Sequence, residues 1–163
     1  MTKVRIVDME KCIGCELCEK VCEFLNVKPR AKVQSVRDGV LVPIVCMHCT
    51  NPVCVDVCPT GAVYKDKEGF VRVRRNRCIG CKLCVVACPF GVPDTDPAKG
   101  FMTKCDLCME RDQEGLPPAC VELCPAGAML YGEYEKVVDK SKSRAVELLV
   151  KKKIIAKEDG ARD

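Results

Sequence analysis

The sixteen cysteines of this chain constrain its fold more than any other feature, because they fall into four groups of four. Each group ends in the same CxxxC step. The four quartets are Cys12, Cys15, Cys18, Cys22; Cys46, Cys49, Cys54, Cys58; Cys78, Cys81, Cys84, Cys88; and Cys105, Cys108, Cys120, Cys124. Because four cysteine thiolates hold one [4Fe–4S] cluster, the count predicts four such clusters as cofactors.

The spacing inside the quartets indicates how they work together. CIGCELCEKVC at 12–22 and CIGCKLCVVACP at 78–89 both follow the CxxCxxCxxxC run of bacterial ferredoxins. In two-cluster ferredoxins the fourth cysteine of such a run ligates the neighbouring cluster. The quartets are therefore predicted to work in pairs that exchange ligands, and the chain is predicted to transfer electrons.

Disulfides and structural zinc are the alternative uses of closely spaced cysteines. Disulfides need an oxidising compartment, and the N-terminal stretch MTKVRIVDMEKC has neither an apolar run nor a twin-arginine signal, which predicts a cytoplasmic protein. Zinc sites usually join two separated pairs, whereas the first and third quartets contain triplets at three-residue steps. Both alternatives are disfavoured, and a zinc-organised interaction scaffold is the least favoured function.

The remaining composition leaves little apolar material for a core. Aromatic residues make up 4% of the 163 residues and tryptophan is absent. Metal ligation is therefore expected to supply much of the folding free energy. The formal net charge of the chain is +4, but each oxidised cluster with its four thiolates carries about −2, so four clusters bring the total to roughly −4. Basic character is thus no argument for binding nucleic acid.

An internal repeat organises the quartets. A shift of 66 residues carries Cys12 to Cys78 and Cys58 to Cys124, and the other cysteines follow once seven extra residues are allowed in the loop at 109–119. Three quartets end in Cys-Pro-x-Gly, where proline ends a helical turn and glycine permits a sharp exit. The first quartet departs from this pattern and is expected to leave its cluster by a different path.

Short elements are predicted around the quartets. The alternation of residues and the turn signals predict hairpins within 32–45 and 62–74, the first turning at Asp38-Gly39 and the second at Lys67-Glu68-Gly69. Helical turns are expected between the third and fourth cysteine of each quartet. The predicted fold class is α+β, with two pseudo-symmetric bacterial-ferredoxin-like modules of short hairpins and short helices around four clusters, followed by a C-terminal helix.

Residues 5–132 resemble the four-cluster, ferredoxin-like electron-transfer subunits of redox complexes. The quartet order CxxCxxCxxxC, CxxCxxxxCxxxCP, CxxCxxCxxxCP and CxxC(x11)CxxxCP carries the resemblance. These subunits include the beta subunits of molybdopterin and tungstopterin oxidoreductases such as dimethyl sulfoxide reductase and formate dehydrogenase, and iron–sulfur proteins associated with hydrogenase or carbon monoxide dehydrogenase. The resemblance implies a partner of one of these catalytic classes and possibly a second redox protein.

The resemblance also implies a ligand set for each cluster, by pairing the first quartet with the last and the second with the third. The spacing alone equally suits pairing one with two and three with four. The implied sets are Cys12, Cys15, Cys18, Cys124 for cluster 1; Cys22, Cys105, Cys108, Cys120 for cluster 2; Cys46, Cys49, Cys54, Cys88 for cluster 3; and Cys58, Cys78, Cys81, Cys84 for cluster 4.

The same pairing divides the chain into domains. It predicts an outer module of residues 1–45 plus 93–134 and an inner module of residues 46–92, with a helical extension over 135–163. In the extension, Val138, Ala145, Leu148, Leu149 and Ile155 form an apolar helical stripe, expected to pack on the protein itself, with a partner or a membrane surface as the alternative. No run reaches the length of a membrane span.

No sequence motif points to catalysis. GxGxxG, GxSxG, a P-loop and the radical-SAM CxxxCxxC are all absent, so the chain is predicted to be a non-catalytic electron-transfer subunit, with a free polyferredoxin shuttle as the alternative.

Two polar features lie close to the cysteines. His48, the one histidine, is interpreted as a side chain packed beside its loop, with tuning of a cluster or a protonation switch as the alternative. Arg72, Arg74, Arg75 and Arg77 are interpreted as a solvated strand face, with docking of an acidic partner as the alternative.

Overall fold

A computed structural model describes residues 3–26, 28–36, 39–96, 98 and 100–151, with side chains described as far as residue 147. Short helices and two-stranded antiparallel sheets alternate along it, as predicted for an α+β fold. The helices are α1 (Leu17–Asn26), α2 (Val53–Asp56), α3 (Leu83–Ala87), α4 (Met109–Gln113), α5 (Ala119–Glu122) and α6 (Tyr134–Lys151). The strands are β1 (Lys3–Val7), β2 (Lys32–Ser35), β3 (Leu41–Ile44), β4 (Val63–Lys65), β5 (Val71–Val73), β6 (Asp94–Thr95), β7 (Met102–Thr103) and β8 (Met129–Glu133).

Both predicted hairpins are present. β2 pairs with β3, and β4 pairs with β5 so that Val63 lies opposite Val73. Gly69 has a φ of 91° in the second turn, which favours glycine. In the first turn Gly39 likewise has a positive φ, whereas Asp38 lies outside the described residues. The glycine-containing turns were therefore sufficient to locate both hairpins.

The longest sheet joins the first described strand to the last and was not predicted. β1 pairs with β8 from Lys3 opposite Glu133 to Val7 opposite Met129. A smaller pair, β6 with β7, follows the third quartet. The β1–β8 pairing brings the segment before the first quartet beside the segment after the last.

Helices occur between the third and fourth cysteines of all four quartets, as predicted. α1 begins at Leu17, as expected, whereas α2, α3 and α5 begin earlier than expected, just before the third cysteine. α2, α3 and α5 are single turns, each followed by Cys-Pro-x-Gly. In each of these turns the glycine has a positive φ and its N–H donates to the cysteine carbonyl, as Gly127 does to Cys124 at 3.0 Å. α1 instead continues through Cys22 to Asn26, which confirms the different exit of the first quartet.

Two separate hydrophobic cores lie beside the cysteines. The first consists of Ala31, Val45, Cys120 and Met129. The second consists of Val63, Val71, Cys84 and Met102, so a residue of β7 packs into a core otherwise built from 46–92. Each core contains a cysteine, and the division into an outer and an inner module stays a prediction.

The helix α6 packs on the protein, as expected, in part through residues outside the predicted stripe. Val137 is buried against the β1–β8 sheet, and Arg144 forms ion pairs with Asp8 and Glu10. Ala145, predicted to face the protein, is exposed, because the inward face is occupied by the Arg144 guanidinium instead. Val138 is half-buried, while the side chains of Leu148 and Leu149 and the whole of Ile155 lie outside the described residues.

Within the part of the chain that the structure describes, none of the helices combines the length and the apolarity needed to cross a bilayer.

The glycine inside the third quartet has a neighbour that forbids any side chain. Gly80 has a φ of +70°, and a Cβ atom there would lie 2.3 Å from the carbonyl oxygen of Gly100. Gly14, its equivalent in the first quartet, has a φ of +66° but would meet only the flexible Leu41 side chain, at 3.1 Å.

We expect Gly80→Ala to lower the free energy of unfolding by about 2 kcal/mol more than Gly14→Ala. Both variants strain the backbone by about 1–3 kcal/mol, but only Gly80→Ala must displace backbone. Chemical denaturation of the two anaerobically purified variants measures the difference. Equal losses would contradict a clash at Gly100.

Candidate cluster-binding sites

The structure gathers twelve of the cysteines around three cavities, four at each. The cavities have about 420, 310 and 350 Å³ of empty space, part of it open to solvent. Four thiols facing one cavity are the donor set of a [4Fe–4S] cluster, so the residues present fit that cofactor. The first cavity is lined by Cys12, Cys15, Cys18 and Cys124, the second by Cys22, Cys105, Cys108 and Cys120, and the third by Cys58, Cys78, Cys81 and Cys84.

The remaining four cysteines also lie near one another. Burial is the main cause that raises the pKa of the Cys54 thiol. The charges of Cys46, Cys88 and Cys49 lie close enough to raise it further. The structure therefore gathers twelve of the sixteen predicted site residues in groups of four, and it places the remaining four in one neighbourhood without a cavity of their own among those described.

Neighbouring groups share short helices. α1 carries both Cys18 and Cys22, one helical turn apart, so one helix supplies thiols to two cavities. It packs against α5, which carries Cys120 and is followed by Cys124. The helices α2 and α3 pack together in the same way, with Cys54 and Cys84 on them and Cys58 and Cys88 after them.

Burial favours the protonated form of several of these thiols. It raises the pKa of Cys18 and Cys84 to about 11 and that of Cys120 to about 12. Free thiols at these positions are therefore protonated at neutral pH, and ligation of iron must displace their protons.

Backbone N–H groups point at some of the sulfur atoms. The amide of Arg30 donates to Cys22 Sγ at 3.2 Å, and that of Ala128 donates to Cys124 Sγ at 3.3 Å. Such bonds stabilise a thiolate more than a thiol. The backbone that follows Cys22 and Cys124 thus supplies N–H groups that can stabilise a metal-bound sulfur atom.

Two buried cations lie among the thiols, and neither was predicted from the sequence. Arg5 in β1 donates to Cys105 Sγ at 3.3 Å and to Cys120 Sγ at 3.6 Å. Lys104 Nζ lies 3.6 Å from Cys46 Sγ. A basic residue in a short N-terminal strand suggests a solvent-facing side chain, and only the long-range β1–β8 pairing places Arg5 inside.

The basic hairpin is only partly solvated. Arg74, Arg75 and Arg77 are exposed, as expected. Arg72 is instead 6% exposed, so the interpretation of its side chain was wrong. It forms an ion pair with Asp66 at 2.8 Å and donates to the carbonyl of Asp106, which explains its burial.

His48 is packed beside its loop. Its Nδ1 accepts a hydrogen bond from the Val71 N–H at 3.0 Å, and its ring meets Phe70 edge-on. Burial lowers the pKa of His48 to about 2, with further lowering by the charges of Lys104, Arg5 and Arg72. The imidazole is therefore neutral throughout the physiological pH range.

We expect His48→Ala to leave the pH dependence of the cluster potentials unchanged between about pH 6 and 8, since the wild-type ring does not titrate there. Redox titrations of both proteins at several pH values measure this. A pH-dependent potential present in the wild type and lost in His48→Ala would contradict a neutral imidazole.

Comparison with known proteins agrees with this site chemistry. The chain matches the family model of a 4Fe-4S dicluster domain over residues 37–134, and a second model of the same description over residues 11–62. Two such domains account for four clusters.

Several relatives are named as chains or electron transfer subunits of reductases. The chain is 38% identical over 153 residues to the probable anaerobic dimethyl sulfoxide reductase chain YnfG of Escherichia coli K12, covering 82% of this chain and 75% of that protein. It is 40% identical over 147 residues to the thiosulfate reductase electron transfer subunit PhsB of Salmonella typhi, covering 82% and 77%. A chain of the active-site complex BamBC of benzoyl coenzyme A reductase is similar at a TM-score of 0.40 and 21% identity, covering 88% and 89%, which is too weak to add to the argument. The chain therefore belongs to the 4Fe-4S dicluster family, and it is a ferredoxin-like electron-transfer protein with four [4Fe–4S] clusters.

Proposed function

We propose that this protein is the non-catalytic iron–sulfur subunit of an oxidoreductase complex and conducts single electrons between a catalytic subunit and a second redox partner. The observation that carries the proposal is the gathering of twelve thiols in groups of four around three cavities, with the other four thiols near one another. When bound, each [4Fe–4S] cluster accepts and releases one electron. The polypeptide itself would hold the clusters close to one another and set the charge and solvent exposure around each of them.

The ligand sets belong to this proposal. Clusters 1, 2 and 4 are assigned to the three cavities lined by four thiols each, and cluster 3 to the group around Cys54. These are the sets that pair the first quartet with the last and the second with the third. The outer and inner modules are proposed on the same basis, since each would hold one pair of clusters.

The shared helices support a linear order of the four clusters. α1 would hold clusters 1 and 2 as neighbours through Cys18 and Cys22, and α2 would hold clusters 3 and 4 as neighbours through Cys54 and the following Cys58. Between the two pairs, Cys46 lies close enough to Cys105 for their charges to interact, so cluster 3 would adjoin cluster 2. The proposed path is 1–2–3–4.

Solvent exposure supports clusters 1 and 4 as the two ends of the path. Cys15 and Cys81 are exposed, whereas each of the other cysteines is buried or half-buried. Next to them Ile13 and Ile79, equivalent in the repeat, are 69% and 68% exposed. Exposed apolar side chains beside a redox site suit docking of a partner protein.

The partner is proposed to be the catalytic subunit of a reductase, because relatives are named for dimethyl sulfoxide reductase and thiosulfate reductase. A cytoplasmic location stays a prediction. Anaerobic affinity purification of the tagged full-length chain from its native source tests the assembly. We expect a large redox subunit to co-purify in a fixed ratio, with its molybdenum, tungsten or nickel content naming the class. A chain recovered alone with all its clusters would favour a free shuttle.

The two exposed isoleucines provide a matched pair of variants. A charge at the interface with the catalytic subunit should weaken co-purification at least tenfold, so only one of Ile13→Glu and Ile79→Glu is expected to do so. The other should retain the catalytic subunit and slow electron exchange with the second partner. Full co-purification and unchanged exchange in both variants would contradict docking at the ends of the path.

A further inference from the structure

Arg5 and Lys104 are buried cations that lack a carboxylate partner among the described residues. Arg5 is 8% exposed and Lys104 is 4% exposed. The third buried basic residue, Arg72, is paired with Asp66. A buried charge costs free energy unless a counter-charge or several hydrogen bonds compensate it. The groups that surround Arg5 and Lys104 therefore indicate what these two charges interact with.

Both cations lie at the junction of the two pairs of quartets. Arg5 donates to the thiols of Cys105 and Cys120, and also to the carbonyl of Cys46 at 3.4 Å. Lys104 approaches the thiol of Cys46, and donates to the carbonyls of Val71 at 2.5 Å and Cys105 at 2.9 Å. Each cation thus reaches both the cluster 2 loop and the cluster 3 loop.

The internal repeat places valine where these cations would be expected to recur. Arg5 and Val71 each lie seven residues before the first cysteine of a CxxCxxCxxxC run, and Lys104 and Val45 each lie immediately before the first cysteine of the following quartet. Both valines are buried, at 1% and 5% exposure. An apolar side chain therefore fills the same place in the other half of the repeat, and packing alone does not require a charge.

We propose that Arg5 and Lys104 are positioning residues for electron transfer, which raise the midpoint potentials of the two inner clusters and so favour the residence of an electron in the middle of the path. This inference rests on the function and ligand sets proposed above. Arg5 acts chiefly on cluster 2 through two of its thiolates, and Lys104 acts chiefly on cluster 3 through Cys46.

The physical reason is the charge change on reduction. A cluster that gains one electron from a partner gains one negative charge, and a fixed cation stabilises that state more than the oxidised state. The effect is large at this junction because both cations are shielded from water and donate toward ligating sulfur atoms. No buried cation lines the cavities of clusters 1 and 4 among the described residues; Lys82, which lines the cluster 4 cavity, is exposed to solvent.

Redox titrations of the anaerobically purified full-length protein, followed by electron paramagnetic resonance, test the proposal. The variants are Arg5→Gln and Lys104→Met, which remove the charges, and Arg5→Lys and Lys104→Arg, which retain them. Lys67→Met, in the exposed hairpin turn, controls for loss of any one positive charge. Iron analysis of each variant shows whether all clusters are retained.

At the wild-type midpoint potential, each charge-removing variant is expected to lower the reduced-to-oxidised ratio of one inner cluster at least tenfold. This change corresponds to a fall of ~59 mV in the midpoint potential of that cluster, for transfer of one electron. Arg5→Gln and Lys104→Met should affect different signals, the charge-retaining variants should shift much less, and Lys67→Met should not shift. Unmoved potentials in cluster-replete Arg5→Gln and Lys104→Met would overturn the proposal.

If Arg5→Gln loses iron, Lys104→Met alone decides by the same criterion. Loss of iron in the charge-retaining variants as well would show a packing role and would also overturn the proposal. Wild-type protein without four clusters would instead overturn the proposed function, before any variant is compared.

Discussion

Cys124→Ser is expected to abolish the signal of a cluster whose other three ligands lie more than a hundred residues earlier in the chain. Cys124 lines a cavity with Cys12, Cys15 and Cys18, not with the other cysteines of its own quartet. The variant should keep about three-quarters of the wild-type iron, or convert cluster 1 to a three-iron form, because only one ligand set is broken. Iron analysis and electron paramagnetic resonance of the reduced protein measure both outcomes.

Cys120→Ser provides the matched control, since Cys120 lies in the same quartet about one helical turn before Cys124 but lines a different cavity. Under the proposed ligand sets, Cys124→Ser loses the same signal as Cys18→Ser, and Cys120→Ser loses the same signal as Cys22→Ser. The other fourth cysteines, Cys22, Cys58 and Cys88, should likewise affect a cluster built mainly by another quartet. Loss of one common signal in Cys120→Ser and Cys124→Ser would contradict the exchange of ligands.

Removal of the iron is expected to abolish the cooperative unfolding transition. Ligation of a structural metal such as zinc contributes on the order of 10 kcal/mol to folding, as much as the whole stability of a typical domain. Here both hydrophobic cores contain a cysteine ligand, Cys120 in one and Cys84 in the other. Metal-free protein would also keep the Arg5 charge beside the thiol of Cys120, whose pKa burial raises to about 12, so that this thiol is neutral at pH 7 and does not compensate the charge.

Thermal unfolding followed by circular dichroism, before and after anaerobic chelation of the iron, measures this effect. Reconstitution with ferrous iron and sulfide should restore the transition, which controls for irreversible damage. A metal-free chain that still unfolds cooperatively near the temperature of the intact protein would show that its apolar cores suffice.

Local signals in the sequence predicted local structure well. The glycine turns located two hairpins, and the Cys-Pro-x-Gly steps located three single-turn helices. The sheet of β1 and β8 was harder to predict, because β1 pairs with a strand some 130 residues away and no local sequence signal marks such a partner. Arg5 and Arg72 were missed for this reason: each lies on a short strand whose inward face is decided by distant contacts.

The grouping of the cysteines shows the same limit. Spacing alone left two ways of pairing the quartets, and the resemblance to a family favoured one of them. Physical contact between distant segments decides such a question, through helix packing such as that of α1 on α5. In α6 the buried face was misassigned because Arg144, a charged residue, faces the protein to pair with Asp8 and Glu10.

Metal and sulfide analysis of the anaerobically purified protein tests the central claim most directly. Four [4Fe–4S] clusters require about sixteen iron and about sixteen acid-labile sulfide ions per chain. We predict these values together with the absence of stoichiometric zinc. Bound zinc without labile sulfide would contradict the account as a whole.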